Sequence, residues 1–415
     1  MSNSVPEGWD ICQFSSFCTA TNEKCGERDL EPLTVSKVLG IVPQSQKFKK
    51  RVASANIERY KVLRRGEFAY DPMLLWDGSI NQLNCVSEGV VSPAYYTFRV
   101  NPKKVIPEYF VQLLKSNFLL SFYQVISKGT NKRRQKAEIK DFLNGEFQFP
   151  PLHEQKKIAA ILSSVDDVIE KTRAQIDKLK DLKTGMMQEL LTKGIGHTAF
   201  KDSPVGRIPE GWDVVKMDDV CTKITDGEHQ TPKRSSEGYF LLSARNIRDG
   251  YLALDNVDYV PKEEYQRISR RVFPMPGDIL VSCSGSIGRT VVVPKGIEFA
   301  MVRSVAILQP RRDLVDPAFL AIQISSTLIQ SQIEKSLSQL AQANLFQAPI
   351  KALVAVIPPI KEQVQIARIV TAINEKIRIK LVQLESHGRL KKALMQDLLT
   401  GKVRVNVDNK ENAVA

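Results

Sequence analysis

An internal repeat constrains this chain more than any other feature. Pro150-Pro151-Leu152-His153-Glu154-Gln155 returns as Pro358-Pro359-Ile360-Lys361-Glu362-Gln363, an offset of 208 residues. The same offset lays Met187-Gln188-Glu189-Leu190-Leu191-Thr192 on Met395-Gln396-Asp397-Leu398-Leu399-Thr400 without a gap. A second echo, at an offset of 203, carries Pro6-Glu7-Gly8-Trp9-Asp10 to Pro209-Glu210-Gly211-Trp212-Asp213. Between these islands the halves share little sequence. The pattern reads as a tandem duplication: variable unit, constant segment, variable unit, constant segment.

Each constant segment has the period of a coiled-coil seam. After Pro-Pro, which can precede a helix but not continue one, apolar residues fall at alternating steps of four and three. The first copy gives Ile158, Leu162, Val165, Ile169, Ile176, Leu179, Met186 and Leu190. The second gives Ile366, Val370, Ile373, Ile377, Leu384, Leu394 and Leu398. This spacing predicts one long helix per copy with a single stripe to bury. Polar residues interrupt both stripes at aligned places, Thr172 with Lys380 and Lys183 with Lys391, where they set register at some cost in stability. His387, also on the stripe, reads as a packing residue rather than a ligand. Gly194 and Gly401 stand where such helices are capped. Two copies in one chain pack most simply against each other, antiparallel, as a strut of ~57 Å from Glu154 to Leu191 at ~1.5 Å per residue. The variable units would then sit at its ends.

The expected organisation is a first variable domain over 1–150, a helix over 151–192, a linker over 193–209, a second variable domain over 210–357, a helix over 358–402 and a tail over 403–415. Both variable units read as mixed α/β. Runs such as 38–42, 277–281 and 302–308 are strand-like and bounded by Gly or Pro. Pro107 to Leu120 and Pro317 to Leu328 predict short helices at equivalent places. The fold class is therefore α+β: two α/β domains separated by two long antiparallel coiled-coil helices.

Charge narrows the partners. Lys and Arg number 59 against 46 Asp and Glu, a net charge of +13, which favours a polyanion such as nucleic acid. Residues 1–150 carry 21 basic against 15 acidic side chains, and 200–357 carry 19 against 18. No stretch offers ~18 consecutive apolar residues, and Glu7 and Asp10 interrupt the amino terminus where a secretion signal would lie. A cytoplasmic protein without membrane contact is expected. The six cysteines show no zinc-ligand spacing and read as reduced thiols. No phosphate loop, dinucleotide fingerprint or serine nucleophile elbow occurs, and the four histidines are unpaired. Neither a metal nor a catalytic residue is expected.

The order and duplication of these motifs resemble the specificity subunit of type I restriction–modification systems over essentially the whole chain. The residues that carry the likeness are P-P-[LI]-x-E-Q-x-x-I-A at 150–159 and 358–367, the helix endings at 187–192 and 395–400, the run from Phe200 to Trp212, and Thr225-Asp226-Gly227-Glu228-His229-Gln230-Thr231-Pro232. The resemblance implies two target recognition domains, each binding one half of a bipartite asymmetric DNA site. It implies that the helices act as spacer and dock two methyltransferase subunits, to which restriction subunits can be added. S-adenosylmethionine would then belong to the methyltransferase partner, ATP and Mg2+ to the restriction partner, and no cofactor to this chain. It further implies that the segment Pro6–Asp10 continues in space from the end of the second helix. A methylation-only system, a fused modification–restriction polypeptide and a two-headed adaptor that binds no DNA are the rival readings.

Candidate DNA contacts follow from side-chain chemistry. Lys47, Lys49, Lys50 and Arg51 form one basic run suited to phosphates. Lys128, Thr130, Asn131, Lys132, Arg133, Arg134 and Lys136 form another that includes groups able to read base edges. The 208 offset sets Gln339, Gln342 and Asn344 opposite part of that run. In the second unit the candidates are Asp226, His229, Gln230 and Thr231, then Ser243, Arg245 and Asn246, then Ser284, Ser286 and Arg289, and Arg303.

Overall fold

The computed structural model describes residues 5–50, 52–129, 135–338, 344–345 and 347–406. The chain divides into two units, 1–172 with 383–415 and 173–382. The division falls within the long helices, Leu152–Thr192 and Ile360–Leu398, so each unit holds a head and one half of each helix. This differs from the expected boundaries at the helix ends, because each helix half packs on the head nearer to it.

The first unit is built on a four-stranded antiparallel sheet ordered Cys18–Thr21, Tyr96–Val100, Phe68–Tyr70, Ile80–Gln82. Two helices follow it, Pro107–Leu114 and Asn117–Ile126. The sequence suggests one helix here; Ser116 starts a second by accepting a hydrogen bond from the Leu119 N–H, a serine N-cap. Finally Glu146–Phe149 pairs antiparallel with Asp10–Gln13, so the last strand of the head lies beside its first and delivers the chain into Pro150-Pro151 and the long helix. The core is aromatic: Phe14 meets Phe147, Phe142 and Phe110 at ring-centroid distances of 4.8, 5.1 and 5.2 Å.

The second unit repeats this order with different residues. Its four-stranded sheet runs Cys221–Asp226, Val305–Pro310, Ile279–Ser282, Thr290–Val292. The helices Pro317–Ile324 and Thr327–Ser338 follow, again two where one is expected, and Val354–Ile357 pairs with Asp213–Lys216. Here the core is largely aliphatic, with Ile279, Leu308, Val315, Leu320 and Ile350 buried. The stretch expected as a linker is partly a hairpin, Phe200–Ser203 with Gly206–Pro209, that places Ile208 in this core.

Within each unit the helix halves run antiparallel. In the first unit Ile158 and Leu162, near the start of one helix, share a core with Leu394 and Leu398, near the end of the other. In the second unit Leu190 and Leu191 meet Ile366 and Val370. Every residue of the two apolar stripes is buried or half-buried, and Lys183, Lys380, His387 and Lys391 are half-buried beside them.

The repeated Pro-Pro-x-x-Glu-Gln has a joint-building role that is the same in both units. Gln155 donates to the Pro150 carbonyl at 2.8 Å and accepts from the Ile106 N–H at 2.9 Å. Gln363 donates to the Pro358 carbonyl at 2.8 Å and accepts from the Asp316 N–H at 2.8 Å. Each glutamine thus ties the first turn of a long helix to the start of a short one. The adjacent glutamate holds an indole: Trp9 Nε1 donates to Glu154 at 3.4 Å, and Trp212 Nε1 to Glu362 at 3.0 Å. A basic side chain from beyond the end of the other long helix completes each joint, Arg404 on Glu154 and His197 on Glu362. Gly401 and Gly194 make the turns, with φ of +69° and +67°. A Cβ on Gly194 would lie 2.5 Å from Glu362 Oε1, and one on Gly401 2.6 Å from Pro6, so glycine is required on conformational and steric grounds alike. In the first unit the segment after the second helix therefore meets the segment before the first strand, as expected: Arg404 also donates to the Glu7 carbonyl at 2.6 Å.

Candidate nucleic-acid interface

With the constant residues committed to the joints, the candidate contacts gather on the heads. In the second unit the loops converge on the turn Met301–Val305. The Ala244 N–H donates to Ser304 Oγ at 3.1 Å, the Cys283 N–H to the Ser304 carbonyl at 2.8 Å, and the Leu345 N–H to the Cys283 carbonyl at 2.9 Å. The Arg303 N–H reaches the Glu228 carbonyl at 2.9 Å. These bonds bring the loops bearing Asp226–Thr231, Ser243–Asn246, Ser284–Arg289, Arg303 and Asn344 together. His229, Gln230, Thr231, Arg245, Ser286 and Arg303 are exposed; Ser243, Ser284, Arg289 and Asn344 are half-buried.

Two of the predicted residues have other work. Asn246 is 1% exposed and caps its own turn: its Oδ1 accepts from the Ser243 N–H at 2.9 Å and its Nδ2 donates to the Ala253 carbonyl at 3.0 Å. Asp226 accepts from Gln347 at 2.5 Å and Arg271 at 3.2 Å and pairs with His229 at 3.0 Å. Burial pushes its carboxyl up, and the bonds from Gln347 and His229 more than offset this, leaving it below the usual range. Beside it Arg267 bridges Glu228 at 3.1 Å and Glu264 at 2.9 Å. Both carboxyls are held low: Glu264 chiefly by its bond from Arg267, and Glu228 against burial by the Gln230 N–H and the Arg267 charge. Arginines thus pair with all three of these carboxylates. Arg245 likewise pairs with Asp258 at 2.8 Å.

In the first unit Lys47 ends the helix Gln44–Lys47 and lies 5.3 Å from the Phe48 ring centroid; Lys47, Lys49 and Lys50 are exposed. Lys128 and Lys136 face each other across the small ladder Ser127–Lys128 with Lys136–Ala137. Lys128 pairs with Asp141 at 2.9 Å and Lys136 with Glu138 at 2.9 Å. Arg51, Thr130, Asn131, Lys132, Arg133, Arg134, Gln339 and Gln342 lie outside the described residues.

Sequence reasoning missed Arg267, Arg271, Ser304 and Gln347, which fix the loops of the second mouth. They come from separate elements, and no local motif marks them. Among the described residues no group of three His, Cys, Asp or Glu is arranged to hold a metal ion, and no helix is long and apolar enough to cross a membrane. Burial raises the Cys221 and Cys283 thiols to about 12, so both stay protonated near neutrality.

One repeated scaffold carrying two unlike mouths defines a two-headed recognition protein. The type I restriction modification DNA specificity domain matches residues 73–181 and 209–386. The chain is 30% identical over 347 residues to the MjaVIII specificity subunit of Methanocaldococcus jannaschii, covering 81% of this chain and 79% of that one. It is 25% identical over 311 residues to the EcoBI specificity subunit of Escherichia coli, covering 70% and 64%. The S subunit from M. genitalium shares the fold, with a TM-score of 0.62 at 13% identity over 98% of both chains. So does a chain of a type I R-M system solved to describe complex assembly and conformational transition, with a TM-score of 0.53 at 18% identity over 97% of this chain and 100% of that one. The chain belongs to the family of type I restriction–modification specificity subunits.

Proposed function

We propose that this chain is the DNA-reading, non-catalytic subunit of its complex, each head binding one half of a bipartite, asymmetric site. Its long helices dock two methyltransferase subunits and set the gap between the half-sites. S-adenosylmethionine belongs to those methyltransferase partners; ATP and Mg2+ belong to restriction subunits that join the assembly. The whole acts in the cytoplasm on double-stranded DNA.

The observation that carries this reading is that one scaffold occurs twice with different outward-facing side chains. The sheet order, the closing strand pair and the glutamate–tryptophan joint recur, while the loops at the two mouths share neither charge nor sequence. Two identical mouths would suit a symmetric site, and unlike mouths suit an asymmetric one. Side chains of the second mouth, including Gln230, Ser286 and Arg303, supply the donors and acceptors that base edges require.

Base-resolution methylation mapping in cells expressing the chain with its methyltransferase partner tests this. A split site is expected. Exchanging residues 1–150 for the corresponding unit of another member should change one half-site and leave the other half and the gap intact. Inserting about one helical turn (~5.4 Å) after Lys178, with a matching insertion after Ser386, should widen the gap by one to two base pairs of ~3.4 Å. A continuous short site, indifferent to both changes, would refute the reading.

A further inference from the structure

Two lysines from separate elements of the first unit meet over one aromatic ring, and a third lies beside one of them. Lys61 opens the strand Lys61–Arg64, Lys24 lies opposite it in an isolated antiparallel bridge, and Lys136 opens the strand Lys136–Ala137. The ammonium groups of Lys61 and Lys136 lie 5.2 and 5.3 Å from the Tyr96 ring centroid. Lys61 is 8% exposed and donates to the Tyr95 carbonyl. Among the described residues no carboxylate pairs with Lys61 or Lys24; the Lys24 ammonium meets Asn22 Oδ1 at 3.3 Å, and Lys136 alone has a carboxylate, Glu138.

Burial, then the charges of Lys24 and Lys136, hold the Lys61 ammonium below its ordinary pKa. A partly desolvated cluster of like charge is unfavourable in the free protein. It becomes favourable when a polyanion supplies the missing counter-charge. Lysine offers three rotatable donors on a point charge and no acceptor, which suits phosphate oxygens and gives no means of distinguishing bases.

We propose that Lys61 and Lys136 over the Tyr96 ring, with Lys24 across the bridge from Lys61, form a phosphate clamp that grips the backbone of duplex DNA beside the half-site read by the first unit. The inference rests on the reading of the chain as a DNA-reading subunit and adds the place where the backbone is held. The clamp positions and does not specify: it strengthens binding to every duplex alike.

The test is the salt dependence of duplex binding by the full chain assembled with its methyltransferase partner. Two duplexes are used, one bearing the mapped site and one with that site scrambled. Lys24→Gln/Lys136→Gln alters only side chains that can rehydrate, and Lys61→Met removes the buried charge while keeping the apolar stem. At ~0.9 per phosphate contact, the slope of log K against log salt should fall by about 2 in the double variant and about 1 in Lys61→Met. Affinity of the double variant should drop about tenfold near 0.15 M salt on both duplexes, with the ratio between them unchanged. Thermal unfolding of Lys61→Met should come no earlier than that of the wild type. Variants that bind with the wild-type slope and affinity overturn the clamp while leaving the DNA-reading role intact; so does a loss confined to the specific duplex, which would mean base reading. A wild-type assembly with no salt-dependent affinity for duplex would overturn the DNA-reading role itself, and the clamp with it.

Discussion

The two heads share a scaffold and differ in how their charges are paired. Above the first sheet, beyond the strand Cys18–Thr21, stand Lys24, Lys61 and Lys136 with Glu138 as their one carboxylate partner among the described residues. At the end of the matching strand, Cys221–Asp226, stand Asp226, Glu228 and Glu264, neutralised internally by Arg271 and Arg267. Among the described residues the first mouth leaves Lys24 and Lys61 without a carboxylate, while the second pairs its three acidic groups with arginines of its own. A similar difference reaches the seam. Lys391 pairs with Asp166 at 2.6 Å, and Asp166 also accepts from Gln112 at 2.9 Å. The aligned residues of the second unit are Lys183 and Asn374, which line a cavity of about 260 Å³ without that ion pair. Duplication preserved what contacts the helices and the sheet order, and left the outward surfaces and the balance of seam charge free to diverge.

Three measurements would break or sharpen this contrast. The largest effect is expected at the joints. Glu154→Gln keeps an acceptor for Trp9 but strips Arg404 of its counter-charge, at a cost of about 2 kcal/mol; Glu362→Gln, facing His197 instead of an arginine, should cost about 1 kcal/mol in denaturant unfolding. Equal losses would show that the two joints are energetically alike despite their different basic partners. Next comes the seam. Asp166→Asn should destabilise by about 1 kcal/mol, and Asn374→Asp should stabilise by about 0.5 kcal/mol by giving Lys183 a carboxylate. If Asn374→Asp is destabilising, the cavity imposes a desolvation cost that the pairing does not recover.

The smallest effect is a pH dependence that falls in different windows for the two mouths, acid for the second and alkaline for the first. Asp226, Glu228 and Glu264 are held below their ordinary values of 3.8 and 4.5, so their contribution is present above about pH 4.5 and is lost as pH falls through the depressed values. Lys61 is held below 10.5, so the folded state binds fewer protons there than the unfolded one, and stability rises with pH through the alkaline range. Replacing Asp226, Glu228 and Glu264 by their amides should flatten the acid limb of thermal unfolding, and Lys61→Met the alkaline one. Flat profiles in the wild type would remove the distinction.

Much of the architecture was legible because it is periodic or repeated. The stripe from Ile158 to Leu190 and its copy announced two helices of matched length, and the structure buries or half-buries each of those residues. The glycines Gly194 and Gly401 marked the helix ends for a reason that belongs to a single residue's φ. Less was legible in the mouths. Asn246 has the chemistry of a base-reading residue and is buried as a cap, because a 3-10 turn closed around it. Lys61 looks like an ordinary strand residue, and only the approach of Tyr96 and Lys136 from other elements gives it significance.

The division follows from the range of the interactions. Helix period, proline stops, glycine caps and a duplicated motif are written in residues within a few positions of one another, so the linear chain determined them without help. Whether a carboxylate is spent on a neighbouring arginine, or a lysine is left unpaired beside a ring, depends on residues tens of positions apart: Asp226 on Gln347 and Arg271, Lys61 on Lys24 and Lys136. Those encounters exist only once the strands have paired, and they decide which side chains of each head remain without a partner.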